Sequence, residues 1–134
     1  MSTEQGTDAG IQPTDPLARF IFSDRHFDPN KDRVKHNAFM PGRDGKTSVF
    51  RTKDLNEAAT WAIGEVIAQI SQRTLHARGD IVAVDVSKAN LALVPSEPPP
   101  RHADIENWPA EKEAQILKAI ELAEAAELVT KPAE

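Results

Sequence analysis

The chain has no cysteine and no tyrosine, only two tryptophans and five phenylalanines, and no long apolar run. Without thiols it has no disulfide scaffold, no cysteine nucleophile and no thiolate-held zinc or iron–sulfur centre. No stretch approaches the ~20 apolar residues of a membrane-spanning helix. The opening residues, Met-Ser-Thr-Glu-Gln, carry neither the basic nor the apolar part of a secretion signal. The expectation is a cytoplasmic protein with no membrane partner. Few aromatics also leave little to stack on bases, and no helix face is basic, so DNA is an unfavourable partner.

What is present is enough for one domain: 134 residues, 40% hydrophobic and 28% charged. The net charge of −5 is unevenly spread. Residues 1–16 carry three acids and no base, and residues 102–134 carry eight acids against three bases. Residues 17–54 are locally +4, with nine Lys/Arg against five Asp. Such a basic segment offers an anion-binding face or an intramolecular match to the acidic tail.

Residues 1–16 lack large apolar groups and are rich in turn formers, which predicts a flexible arm. The ordered domain is expected over 17–129, with 130–134 frayed. Leu17–Ser23 reads as a strand, with Phe20 and Phe22 on one face and Arg19 and Ile21 on the other. After a polar loop, His36–Pro41 reads as a second extended piece. The Gly42-Arg43-Asp44-Gly45 turn would join it to a returning strand over 47–51.

A helix over 55–70 is the clearest element. Asp54 and Glu57 have capping-box spacing. Leu55, Ala59, Ala62, Ile63, Val66, Ile67 and Ile70 share one face, which is the expected core stripe. Trp61 lies opposite, close to Gly64 and Ala68. It either enters a second cluster or, with those small residues and Trp108, offers a partner-docking spot. Residues 81–89 fit two readings: Val82, Val84 and Val86 alternate like a strand, but a short helix capped by Asn90 in the left-handed conformation is preferred, with a strand at 91–94. Pro95 and Pro98–Pro100 predict an extended polyproline-like connector. A last helix is expected over 109–128, its buried face containing Ile116, Ala119, Ile120, Leu122, Ala123 and Ala126. The fold class is therefore α+β: a small, mostly antiparallel sheet packed against two main helices, 55–70 and 109–128.

Motif tests largely exclude. Pro41–Ser48 has only two residues between Gly42 and Gly45 where a phosphate loop needs four before its Gly-Lys pair. Arg78-Gly79-Asp80 is a chance adhesion tripeptide. No histidine pair has helical metal spacing, so no metal is assigned; a site from His26, His36 and Asp28 would need the fold to gather them. No serine sits in a nucleophile elbow, and no cofactor motif is present.

One pattern survives. Each histidine has a cation within two positions: Arg25-His26, Lys35-His36, His76-Ala77-Arg78 and Arg101-His102. Cations close in space would keep those imidazoles neutral, and a neutral imidazole beside a guanidinium suits phosphate chemistry. The anion-site candidates are Arg19, His26, Arg33, His36, Arg51, Arg78, Arg101 and His102. The segment Pro98–Pro109, PPPRHADIENWP, reads as a rigid strap that plugs Ile105 and Trp108 into the core and presents Arg101 and His102. Two function classes follow. One is an accessory or adaptor domain that binds a protein partner; the other is a metal-independent enzyme or binding protein for nucleotide or RNA phosphate.

Overall fold

Alternation along Leu17–Phe22 sends apolar side chains to both sides of one strand, so that strand can be buried on two faces and take the centre of a sheet. The structure is a computed structural model that describes residues 10–132. Strand β1 (Pro16–Ile21) is followed by a small hairpin, β2 (Phe27–Asp28) and β3 (Arg33–Val34), a 3₁₀ turn (His36–Phe39), and β4 (Thr47–Arg51). Then come α1 (Glu57–Ser71), β5 (Ala77–Val82), α2 (Ala83–Lys88), β6 (Ala92–Pro95), β7 (His102–Glu106), α3 (Lys112–Ala125) and β8 (Glu127–Thr130). Six strands form one antiparallel sheet in the order β6-β7-β4-β1-β5-β8, with Leu17 opposite Arg51 on one side and Ile81 on the other. This is the expected α+β class, on a larger sheet than the pattern suggested.

Strand alternation divides the interior in two. Leu17, Ile21, Val49, Ile81, Ala103 and Ile105 join the 3₁₀ turn, α2 and α3 in the larger cluster. Ala18, Phe20 and Phe50 face the other way, toward Trp61, Ala68 and Leu75.

On that second face the structure overturns the expected core stripe. α1 packs inward through Thr60, Trp61, Gly64 and Ala68. Val66 and Ile70 of the apolar stripe are 53% and 75% exposed. The cause is close approach. A Cβ on Gly64 would stand 2.7 Å from Phe20 Cδ1 and 2.9 Å from Leu75 Cδ2, so only the small-residue face lets the helix down onto the sheet. Trp61 is therefore interior, 9% exposed, and with Gly64 and Ala68 it cannot serve as a surface docking spot.

Other boundaries also move. α1 is capped by Asn56, whose Oδ1 accepts the Ala59 amide at 2.8 Å, leaving Glu57 for another role. The 36–41 piece is the 3₁₀ turn, and β4 pairs with β1 and β7 instead of with it. β5, β7 and β8 were not expected as strands. α2 does form, with Asn90 left-handed at φ 61° and the Leu91 amide reaching Val86 O. The proline segment turns instead of running extended: His102 N donates to Pro99 O and Ser96 N to His102 O. α3 begins at Lys112 and ends at Ala125, because residues 127–130 pair with β5. Of the expected arm, residues 1–9 lie outside the described residues. Residues 10–16 are tied down, since the carbonyls of Pro13 and Asp15 accept the Val84 and Ala83 amides. At the other end, Lys131 donates to His76 O and pairs with Glu65 of α1, whereas 133–134 lie outside the described residues.

Candidate functional site

Arg78 points from β5 into the second cluster, where two carboxylates and an aromatic ring surround it. Its Nη atoms donate to both Glu57 oxygens at 3.0 and 2.8 Å, its Nε donates to Asp80 at 2.9 Å, and its Cζ lies 4.8 Å from the Trp61 ring centre. Burial pulls this guanidinium down, but the hydrogen bonds and charges of Glu57 and Asp80 raise it above its ordinary value. Hydrogen bonding from Arg78 holds Glu57 below the usual carboxylate range. Burial pushes Asp80 up against the pull of Arg78. The cluster clamps the first turn of α1 to the sheet, and two carboxylates and burial leave the guanidinium little access to a ligand. As an anion-site candidate, Arg78 is corrected to a structural role.

The remaining candidates do not converge. Arg33 and His36 line a cleft of about 540 Å³ against α3, where Asp32 and Glu124 sit beside them, so its charge is mixed. Arg51 pairs with Glu97 at 3.1 Å. Arg101, left-handed at φ 71°, donates through Nη1 to the carbonyls of Arg51 and Lys53. His26 is half-buried; burial, then the Arg19 charge, lowers its pKa. The cation acting on it is thus Arg19 of β1, not the adjacent Arg25. Trp108 packs against the larger cluster and donates from Nε1 to Ile105 O at 3.0 Å. Among the described residues, no group of three or more His, Asp or Glu side chains is placed to hold a metal; His26, His36 and Asp28 are not gathered.

A third pair of candidates shares a cavity, as Arg33 with His36 and Arg51 with Arg101 also do. Arg19 and His102 line a space of about 370 Å³ beneath the end of α1, with Lys46, Ser48 and Arg73. Arg19 donates from Nε to Ala38 O and from Nη1 to Ser48 O at 2.9 Å. Burial, reinforced by the Arg73 charge, lowers its pKa to about 10, so it stays cationic at neutral pH. His102 Nδ1 lies 2.9 Å from Ser96 O, and since a carbonyl only accepts, Nδ1 carries the proton. Its Nε2 faces Asp104 at 3.6 Å, and its ring stands edge-on to Phe50 with centroids 5.2 Å apart.

This cavity is half of a longer furrow. Phe50, Ile67 and Pro99 also line a second space of about 390 Å³, walled by Leu55, by Ala59, Ile63 and Val66 of α1, and by Pro100 and Arg101 of the strap. One half is therefore polar and cationic, and the other almost wholly aliphatic. The sequence reading missed Lys46, Ser48 and Arg73 in the first half and assigned the aliphatic wall of the second to the core. One signal was available. A glycine within a helix costs about 1 kcal/mol relative to alanine, so Gly64 beside Trp61 marks the face that must approach a neighbour closely.

Set against known proteins, the chain matches no family model, no curated protein and no solved structure.

Proposed function

We propose that this chain is a small accessory domain that works by binding a protein partner along the outward stripe of α1. The observation that carries the reading is the exposure of Val66 and Ile70, in line with half-buried Ile63 and Ile67, on a helix whose opposite face is already packed. Fifteen helical residues extend about 22 Å, long enough for a protein segment to lie along them. Each large aliphatic side chain newly covered contributes about 1.5–3 kcal/mol at full burial, in proportion to the area removed from water. Contiguous apolar surface of this kind is more often an interaction site than an accident. A cytoplasmic location, expected from the sequence, belongs to the same proposal.

The alternative, a nucleotide or RNA phosphate pocket, draws less support. Glu57 and Asp80 occupy Arg78, Glu97 occupies Arg51, and Arg33 and His36 sit in a separate cleft.

The test is photocrosslinking of the full chain in its own cells, with the photoreactive residue at Val66 and, as control, at Glu121 on α3. The expected result is one discrete adduct from position 66, identified by mass spectrometry and reconstituted from pure components. That binding should disappear in Ile63→Asp. Equal labelling from both positions, or no adduct from 66, refutes the reading.

A further inference from the structure

The polar half of the furrow indicates which partner. Arg19 and Arg73 there, and Arg101 at the aliphatic half, have guanidiniums short of counter-charge. The guanidiniums of Arg19 and Arg101 donate only to carbonyl oxygens, although the Arg101 backbone amide donates to Glu97, and Arg73 donates to Ser71 Oγ while lying over the Phe22 ring at 4.1 Å. None of the three has a carboxylate within salt-bridge distance among the described residues, although Arg51 and Arg78 do. Acids are not scarce, since the chain has 21 against 16 bases. Yet among the described residues Asp44 is the only acid lining either half of the furrow, where Arg19, Arg73, Arg101 and the Glu106-paired Lys46 also stand. Two arginines near each other without a carboxylate form a cationic floor that an anion would relieve.

We infer that the furrow accepts an acidic amphipathic segment of a partner protein, with aliphatic side chains against Ile63, Val66 and Ile67 and carboxylates on Arg73, Arg19 and Arg101. This rests on the docking reading above and adds the partner's chemistry to it. Other occupants fit the furrow less well. A second copy meeting the first through the same face would set one cationic rim on another, which is repulsive. Residues 1–9 contain two acids but no Leu, Ile, Val or Phe to fill the aliphatic half. RNA would gain phosphate contacts, but it would meet an overall charge of −5, and Phe22 in the cationic half is already covered by Arg73.

The experiment uses the full chain and three fluorescent amphipathic peptides that share one Leu/Ile stripe and differ only in polar positions filled with Glu, Gln or Lys. The Glu peptide is expected to bind about tenfold more tightly than the Gln peptide at low salt, as several partly exposed ion pairs each contribute a factor of about two to five. High salt should erase most of that advantage, and the Lys peptide should bind weakest. Arg73→Gln and Arg101→Gln should each reduce Glu-peptide binding severalfold and leave Gln-peptide binding unchanged, while Ile63→Asp weakens both. Equal binding of the Glu and Gln peptides overturns acidic selection and leaves the docking reading standing. Absence of binding by all three overturns both. Displacement of the Glu peptide by oligouridylate at lower concentration assigns the cationic half to nucleic acid and overturns the inference, as does a dimer that excludes the peptide.

Discussion

Substitutions on opposite faces of α1 should have opposite consequences, and the contrast tests the helix orientation directly. Ile70 is 75% exposed, so about a quarter of its ~1.5–3 kcal/mol burial contribution is at stake, or roughly 0.5 kcal/mol. Gln is the better helix former and returns a few tenths of a kcal/mol, so Ile70→Gln should change stability by less than about 0.5 kcal/mol. Val66, 53% exposed, has about half of its burial contribution at stake, so Val66→Gln should cost about 0.5–1 kcal/mol after the gain in helix propensity. Trp61→Ala removes a buried aromatic from between Phe20 and Arg78, for which a loss of about 3–5 kcal/mol is ordinary. Such a loss is a large part of the ~5–15 kcal/mol that holds a domain folded. The assay is urea unfolding followed by far-ultraviolet circular dichroism, because Trp61 is one of only two tryptophan fluorophores. If α1 instead buried its apolar stripe, Ile70→Gln would cost more than about 2 kcal/mol and Trp61→Ala less than 1. Either value would refute the orientation and, with it, the docking surface.

Three further outcomes are expected. Gly64→Ala gains about 1 kcal/mol of helix propensity, yet its methyl must displace Phe20 and Leu75, so a net loss of about 1–2 kcal/mol should appear as a lower melting temperature. Glu57→Gln leaves the buried Arg78 with Asp80 as its only carboxylate and should cost about 1–2 kcal/mol, a figure discounted because Glu57 itself is mostly exposed. Because the folded state lowers the Glu57 pKa, its contribution is present above the unfolded carboxylate value and fades as pH falls through the lowered one. Calorimetry of Glu57→Gln should therefore lose part of the acid-side decline. His26, also lowered in the fold, favours the neutral ring, so stability should fall as pH drops below 6.5 and level off once the folded state protonates. His26→Gln should flatten that segment of the profile, and an unchanged profile would exclude burial of a neutral ring.

How far the sequence revealed the fold depended on whether the deciding information was local. Alternation at Phe20, Ile21 and Phe22 placed β1 and its two faces correctly, because the strand's own pattern carries both clusters. Asn90 marked the end of α2 for the same reason: one left-handed residue suffices. The orientation of α1 was not local. Periodicity finds an apolar stripe but does not say whether the sheet or the solvent lies against it, and the choice is made by the fit of Phe20 over Gly64. β7, between prolines, was hidden because its composition gives no strand signal and one of its two partners, β4, lies about fifty residues earlier in the chain. The same holds for the candidate site. Arg19 and His102 could be singled out by residue type, but Arg73 joins them only through tertiary structure, and the Glu57 that occupies Arg78 looked like a capping residue.

The position of β1 also bears on how the protein is made. The first strand of the described chain is the central one, yet its neighbours, β4 and β5, follow it at 47–51 and 77–82. In the large sheet only β6 and β7 are both adjacent and consecutive. Long loops must close before most pairings return any energy, which places folding in milliseconds to seconds rather than microseconds. On the ribosome, at about 5–20 residues per second, β1 waits roughly 3–12 s between the synthesis of Ile21 and that of Val82. Both hydrogen-bonding edges are open until β4 is made, about halfway through, and the edge that carries Phe20 and Ile21 waits for β5 to the end, which leaves the nascent β1 segment in need of chaperone protection.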